Sequence, residues 1–509
     1  MLSRVSGLIR DMVWFATIPA ASLGPFIVAF KFPNMLRDLI GEGASNAALV
    51  PVFSESIEKN SPEEHRELLS AVMSAMLIVL IVLTLLGVLL LPFMLSGLNG
   101  LSVVTSTESV SPERTALISV LAQWTFPYLF FIGMAVFSMG ALFTVHHYST
   151  PSWAPALLNV CTIGSCLLLR DRFAEPAYAL VIGVWLGGLA QMTVQYVAMG
   201  KHTGVWLPNF HLRHPAIRRV FWLLIPVLLG QSAGEVNKMV DTLFAAVLGD
   251  DKVNALYMAN RLIQLPLSVF GLAVTASILP TISRAGARKE YEEIRQTLIH
   301  GLRQTFFLVF PAMLGLIVLR EPLIRLLFQR GEFTANDVQQ SGTALLYYSF
   351  GLLAFVWVKI TASGFYAVQN TKTPVIIASA SMLLNILLIF VLVGPMGYRG
   401  LALATTISFT VNFILLYAML CERFGNLWDK DFLIALGRMT LIGVMMAAVT
   451  YGTHFQTLRY FKADAFQDRL VQVLVPVTCA VAVYAVLSYA LGVPDMRHFT
   501  SLFRRRTRG

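Results

Sequence analysis

The sequence has few charged residues. Only 13% of its 509 residues are Asp, Glu, Lys or Arg, whereas 56% are hydrophobic. Soluble domains carry about 25% charged residues, so this composition excludes an ordinary soluble domain. Apolar runs of about 20 residues recur along the chain, and each is long enough to cross a hydrocarbon core of roughly 30 Å. We therefore predict an all-α polytopic membrane protein.

Cysteine is equally scarce. The four cysteines are Cys161, Cys166, Cys421 and Cys479, and all lie in or beside apolar runs. They form no CxxC pair and have no histidine nearby at the spacing of metal ligands. We interpret them as small core residues, and we expect neither a disulfide framework nor a metal site.

Motifs of soluble enzymes are missing as well. The sequence has no GxxxxGK[ST] loop and no HExxH. Its one GxSxG string, at residues 230–234, lies inside an apolar helical span, which favours helix packing over a nucleophile elbow. The loops are short and lack paired carboxylates, which disfavours a membrane enzyme such as a glycosyltransferase. We expect a transporter with no bound cofactor.

The net charge of +10 sits mainly in loops. Basic residues follow the sixth and eighth predicted spans and fill the C-terminal segment 504–508. Positive loops mark the cytoplasmic side, so both termini are predicted to be cytoplasmic and no nucleic-acid partner is expected. The first span begins almost at Met1. Whether the true start lies upstream is left open.

The apolar runs predict about fourteen membrane helices. A repeat runs through them: residues 48–54 (ALVPVFS) resemble 277–283 (SILPTIS), and three shorter matches share the offset of about 220–230 residues. A repeat of six helices predicts two lobes related by a pseudo-twofold axis along the membrane normal. We assign 1–200 to the N-terminal lobe, 201–218 to a basic linker, 219–425 to the C-terminal lobe, and 426–509 to the last two helices and tail.

Several cations lie near membrane depth, where a charge is costly unless it faces protein or water. They come from both lobes: Arg4, Arg10, Lys31, Arg37, Lys238, Arg261 and Lys359. Each alone could pair with a neighbouring carboxylate, as Arg37 could with Asp38. Together they outnumber the local carboxylates and predict an anionic substrate, most simply a phosphate or diphosphate.

Two carboxylates and an amide are candidates for ion coupling. Asp241 lies in the seventh span and Asn385 in the eleventh, where either could contribute to a proton or Na⁺ site. Glu235 could serve similarly, or it could pair with Lys238 three residues later.

Helix breakers occur within several spans. Pro33, Gly41, Gly43 and Pro266 are our candidates for hinges, although simple packing kinks would leave the same pattern.

Six short motifs stand out along the chain: SRVSGLIRD at 3–11, VAFKFPNMLR at 28–37, GEGA at 41–44, NRL at 260–262, FQRGEFT at 328–334 and GFY at 364–366. Together they resemble the motifs of the MurJ (MviN) family of lipid II flippases, within the multidrug/oligosaccharidyl-lipid/polysaccharide exporter superfamily. The resemblance spans nearly the whole chain. Two positions depart from it: Gly24 stands where the family often has an acidic residue, and Asn260 where an Asp commonly precedes the arginine.

The resemblance implies fourteen transmembrane helices, with the last pair forming a groove for the lipid tail. It implies that a monomer in the bacterial inner membrane moves lipid II outward by alternating access. Its expected partners are lipid II, membrane lipids and cell-wall synthesis proteins. The family's substrate-binding arginines fall on Arg4, Arg10, Arg37 and Arg261, and Lys31, Glu42 and Lys359 are further candidates. The driving force would be Na⁺, H⁺ or the membrane potential. The alternatives are an exporter of another polyprenyl-diphosphate-linked glycan or a drug/cation antiporter.

Overall fold

The computed structural model describes residues 2–41, 48–98, 100–101, 110–203, 209–462 and 465–496, with the backbone alone at 2–4 and 229. These residues form helices and no strand. The first ten helices are α1 (Leu2–Thr17), α2 (Ala20–Asp38), α3 (Val50–Lys59), α4 (Pro62–Ser96), α5 (Pro112–Thr125), α6 (Tyr128–Thr144), α7 (Ser149–Trp153), α8 (Pro155–Leu169), α9 (Ala177–Thr203) and α10 (Pro215–Leu248).

The remaining helices begin at residue 250. They are α11 (Asp250–Pro266), α12 (Leu272–Arg288), α13 (Tyr291–Val318), α14 (Arg320–Phe328), α15 (Ala335–Ala367), α16 (Lys372–Met396), α17 (Tyr398–Phe424), α18 (Lys430–Tyr460) and α19 (Phe466–Ala490). A π-helical turn, Leu267–Gly271, joins α11 to α12. The all-α polytopic architecture predicted from composition is confirmed.

Eleven helical segments of the described chain are long and apolar enough to cross a membrane, and α10 makes twelve if its two bent halves count as one span. Helices α1 and α2 are not among them, because α1 has only 16 residues and α2 carries Lys31, Arg37 and Asp38. The exact count of fourteen stays a prediction.

Local sequence signals set several helix boundaries. Ser61 caps α4 by accepting a hydrogen bond from the backbone N–H of Glu64, whose carboxylate accepts one from the N–H of Ser61. This reciprocal arrangement is a capping box, which marks where α4 begins. Residues 230–234 lie inside α10, so the GxSxG string is helical and not a strand-to-helix elbow. The four cysteines are unpaired thiols, but only Cys166 is buried as a core residue; Cys161, Cys421 and Cys479 are partly exposed.

The chain divides into two compact units, residues Met1–Asn254 with Arg330–Phe333, and residues Ala255–Gln329 with Thr334–Gly509. In the first unit, α9 packs on α6 and α8, α1 packs on α8, and α2 packs on α5. In the second, α17 packs on α15 and α16, α13 on α15, and α18 on α19. The lobe boundaries predicted from the repeat remain predictions.

Small residues permit the closest of these contacts. A methyl group at Gly187 of α9 would lie 2.6 Å from the Cα of Leu158 on α8. Close backbone approach through small residues is how membrane helices gain packing contacts where lipid offers no hydrophobic driving force.

The proline positions differ in their local structure. Pro33 lies inside α2, whereas Pro266 ends α11 and is followed directly by the π-helical turn. Gly41 follows α2 in a π-helical turn of its own. Proline and π turns are recognised causes of helix bends, and the hinge role of these positions stays a prediction.

Candidate functional site

Arg10 is fixed inside the first unit by partners on two helices. Its Nη2 and Nε donate to Oδ1 of Asp11, at 2.7 and 3.0 Å. Its Nη1 donates to Oδ1 of Asn159 on α8 at 3.2 Å, and the guanidinium lies 4.3 Å from the ring centroid of Trp14. Asp11 is fully buried and Arg10 is 12% exposed. The sequence could place Arg10 beside Asp11 but not beside Asn159.

Arg37 is more accessible than Arg10. It lies in the last turn of α2, and its Nη2 and Nε donate to Oδ1 of Asp38, at 2.6 and 3.1 Å. The two side chains are 32% and 23% exposed. The neighbour pairing considered from sequence is therefore present at both arginines. At Arg37 it leaves a partly exposed guanidinium that can still donate to an anion.

Tyr128 lies near both of these arginines. Its side chain is buried, and its hydroxyl lies within electrostatic range of Arg37, Arg10 and Asp38. The hydroxyl is close to Arg37 but makes no well-aligned hydrogen bond within the described residues. Sequence reasoning missed Tyr128. The available signal was its position directly after Pro127, where the fourth predicted span breaks into α5 and α6.

Lys31 and Lys238 form a second charged cluster, from α2 and α10. Lys238 Nζ lies 2.5 Å from Oε1 of Glu235, three residues earlier, as one of the sequence alternatives predicted. Lys31 is an electrostatic neighbour of Lys238, Glu235, Asp38 and Asp241. Lys238 was among the cations noted at membrane depth but not among the substrate-binding candidates, and Asp241 also lies within electrostatic range of Lys31.

A carboxylate lies beside Gly24 despite the departure from the family pattern. A methyl group at residue 24 would lie 2.6 Å from the Cβ and 2.7 Å from Oδ1 of Asp250. Asp250 pairs with Arg114 of α5 at 2.7 Å, and Arg114 also donates to the carbonyl of Ala246. Asp250 therefore supplies a negative charge where residue 24 has none.

The other predicted residues lie in the second unit or outside the described side chains. Arg261 is half-buried on α11, Lys359 is exposed on α15, and Asn385 is fully buried on α16. Asn385 and Asp241 therefore belong to different units. The side chain of Arg4 and the residues Glu42 and Gly43 lie outside what the structure describes. No group of three or more metal-ligand side chains occurs among the described residues.

Comparison with known proteins shows which family this chain matches. The family model described as lipid II flippase MurJ matches residues 17–471. The probable lipid II flippase MurJ of Haemophilus influenzae is 33% identical over 503 residues, covering 97% of this chain and 98% of the relative. The Vibrio cholerae protein of the same name is also 33% identical, covering 97% of this chain and 94% of its own length.

Solved structures agree with the sequence comparison. A structure of lipid II flippase MurJ in an inward closed conformation has a TM-score of 0.79 at 26% identity, covering 96% of this chain and 97% of that chain. An inward-facing multidrug resistance MATE family transporter of the MOP superfamily has a TM-score of 0.63 at 18% identity, over 84% of this chain and 95% of that one. The second likeness concerns fold alone. From the full-length match and the shared fold, the chain belongs to the lipid II flippase MurJ family.

Proposed function

We propose that this protein moves lipid II from the inner to the outer leaflet of the bacterial inner membrane. The observation that carries the proposal is the family match across residues 17–471. The charged clusters of the first unit support it, because lipid II carries a diphosphate and guanidinium groups bind phosphate oxygens through paired hydrogen bonds. The protein would act as a transporter and not as an enzyme.

Arg37 is the residue we propose for diphosphate contact. Its Nη1 is not used by Asp38, and the side chain is 32% exposed. Arg10, held by Asp11 and Asn159, would present a fixed positive charge within electrostatic range of Tyr128. The family resemblance is the reason for keeping four further residues in the proposed head-group site: Arg4, Glu42, Arg261 and Lys359.

The polyprenyl tail would remain in lipid beside the last two helices. A shallow groove of about 420 Å³ lies along α18 and α19. Four of its eight lining residues are apolar or aromatic, namely Val449, Tyr460, Phe461 and Val475, and none of the eight is charged. Such a surface suits an isoprenoid chain, because no charged group would lose water when the chain lies on it.

Alternating access would carry the head group across, with both termini cytoplasmic and a monomer as the working unit. The energy source would be the membrane potential or a Na⁺ or H⁺ gradient. Transport measured in vesicles under each gradient separately would identify it. If transport stops when the membrane potential alone is collapsed, the membrane potential is the energy source.

The main test is replacement of the host's own flippase. In cells depleted of their flippase, this chain should restore growth and the arrival of lipid II at the outer leaflet. Arg37→Ala and Arg261→Ala should abolish rescue at normal protein levels, while Arg284→Ala, at an exposed arginine of α12, should rescue fully. Failure of the unmodified chain to restore lipid II arrival would refute the proposal.

Other substrates of the superfamily are separated by binding. Purified protein should bind lipid II more tightly than other polyprenyl-diphosphate glycans and should not bind cationic drugs. Stronger binding of another glycan would favour the first alternative. Drug binding at the same site would favour an antiporter, for which the present support is a likeness of fold.

A further inference from the structure

The motif FQRGEFT, residues 328–334, forms the loop between α14 and α15. Its central residues, 330–333, belong to the first compact unit, although the chain on both sides of them belongs to the second. We call residues 330–333 the strap. Its two ends are fixed, because Nη1 of Arg469 donates to the carbonyl of Gln329 at 2.6 Å and Thr334 is the N-cap of α15. The strap is therefore a short stretch of chain held at both ends.

The strap completes the C-terminal end of α1. The last carbonyl groups of a helix have no partner within the helix, so they need donors from elsewhere. The backbone N–H of Glu332, in the strap, donates to the carbonyl of Ala16 at 3.1 Å. Arg170 donates to the carbonyl of Thr17, the next residue, at 3.3 Å. The end of α1 thus receives hydrogen bonds from residues far away in sequence, and one of them lies in the strap.

The strap also fits closely against α1. The rings of Phe333 and Phe15 meet edge to face with centroids 5.6 Å apart, and these residues are only 5% and 3% exposed. Gly331 has a φ of +57°, and a methyl group there would overlap the carbonyl oxygen of Ala16. Both the backbone conformation and the close approach require glycine. A larger residue at position 331 would push the strap away from α1.

The contact between the strap and α1 lies at the surface. Gly331 and Glu332 are exposed, so the hydrogen bond to Ala16 is formed by exposed backbone. Exposed backbone hydrogen bonds are among those that open at a low cost in free energy. Because the N-terminus is predicted to be cytoplasmic, α1 runs outward, and its end and the strap lie on the outer side of the membrane.

We propose that the strap is a latch on the outer side of the protein, closed on the end of α1 in this conformation and open at one stage of each transport cycle. The inference rests on the proposed function and adds a conformational step to it. Alternating access requires contacts on the outer side to break when the head group leaves toward the outer leaflet. Because both ends of the strap are fixed, an open strap stays close to α1 and closes again after release.

The test joins the strap covalently to α1. Ala16→Cys and Glu332→Cys are introduced into the full chain, with the four native cysteines replaced by alanine, and a short, cleavable bis-methanethiosulfonate joins the two thiols. In proteoliposomes, the crosslink should reduce lipid II transport at least tenfold, and cleavage with dithiothreitol should restore it. The control pair is Arg288→Cys and Glu293→Cys, on either side of the exposed turn between α12 and α13, where the parent side chains form an ion pair at 2.8 Å. Its crosslink should leave transport unchanged.

Gly331→Ala tests the fit of the strap without lipid II. In the variant that carries Ala16→Cys and Glu332→Cys, alanine at position 331 should hold the strap away from α1 and slow crosslinking several-fold. Gly397→Ala is the control, because Gly397 also has a positive φ, +58°, but a methyl group there would meet no heavy atom of the described residues within 4 Å. Equal crosslinking rates in the two alanine variants would overturn the proposed fit.

The outcomes separate the latch from the function on which it rests. If the crosslinked protein transports lipid II as fast as the same variant before crosslinking, the latch is wrong and the flippase function stands. If the unmodified chain does not transport lipid II, the proposed function fails and the latch fails with it. If the variant with Ala16→Cys and Glu332→Cys is inactive before crosslinking, Phe15→Cys with Phe333→Cys provides the same test.

Discussion

Gly24 gives the sharpest test of the packing in the first unit. A methyl group there would lie 2.6 Å from the Cβ of Asp250, 2.7 Å from its Oδ1 and 2.8 Å from its Cα. Real side-chain contacts do not approach so closely. Because one of the three atoms is backbone, a rotamer change of Asp250 cannot relieve the clash. Gly24→Ala must therefore displace the junction between α10 and α11 or push α2 away from it.

The expected magnitude is the difference between two effects. Overpacking a tight site costs about 1–3 kcal/mol. Replacing glycine by alanine within a helix gains roughly 0.5–1 kcal/mol. Gly164 on α8 is the matched control, because a methyl group there would meet no heavy atom of the described residues within 4 Å. Since the helix gain is common to both, Gly24→Ala should be less stable than Gly164→Ala by about 1–3 kcal/mol.

The assay is thermal unfolding of both variants in the same detergent. For domains of 150–250 residues, 1 kcal/mol corresponds to roughly 2–4 °C, so the two midpoints should differ by about 2–12 °C. Gly24→Ala should also reduce lipid II transport if the α10–α11 junction moves during the cycle. Equal midpoints for the two variants would show that Asp250 does not pack against Gly24.

The remaining predictions concern charged residues. Arg10→Ala should lower the free energy of unfolding by about 3–5 kcal/mol, because Asp11 is fully buried and would lose its counter-ion. Arg37→Ala, at a pair that is 32% and 23% exposed, should lower it by under about 1 kcal/mol and be defective mainly in binding. Equal stabilities of the two variants in chemical denaturation would contradict this. The hydrogen bond from Lys59 lowers the pKa of Glu55 from 4.5 to about 2. The stability that ionised Glu55 contributes is therefore fully present above pH 4.5 and is lost as the pH falls through about 2. Glu55→Gln should therefore be less stable than the unmodified chain at pH 7 and should match it near pH 2, and a difference that persisted at the lower pH would exclude this ion pair as the cause.

Local sequence was enough to predict most of the fold. Hydropathy and low charge predicted the membrane helices, and the Ser61–Glu64 capping box that starts α4 involves only residues within one turn. The spacing of Glu235 and Lys238 similarly allowed their pairing to be considered. These features were predictable for one reason. The interacting residues are neighbours along the chain, where helical geometry fixes which side chains meet.

The candidate site was only partly predictable for the opposite reason. The sequence identified Arg10 as a cation at membrane depth. Its hydrogen bond to Asn159 could not be predicted, because it joins residues 149 positions apart. Tyr128 looked like one more aromatic residue in an apolar run. Its place beside Arg37 depends on how α2, α5 and α6 pack.

Composition, hydropathy and motifs were enough to predict a membrane protein of many helices, with charges costly in lipid inside them and a resemblance to a lipid II flippase family. The partners that those charges find on other helices depend on the tertiary structure. Asp250 beside Gly24 and Asn159 beside Arg10 are contacts between residues far apart in sequence. The physical reason is that hydropathy and helical periodicity act within a segment, whereas the pairing of buried charges depends on which helices pack together.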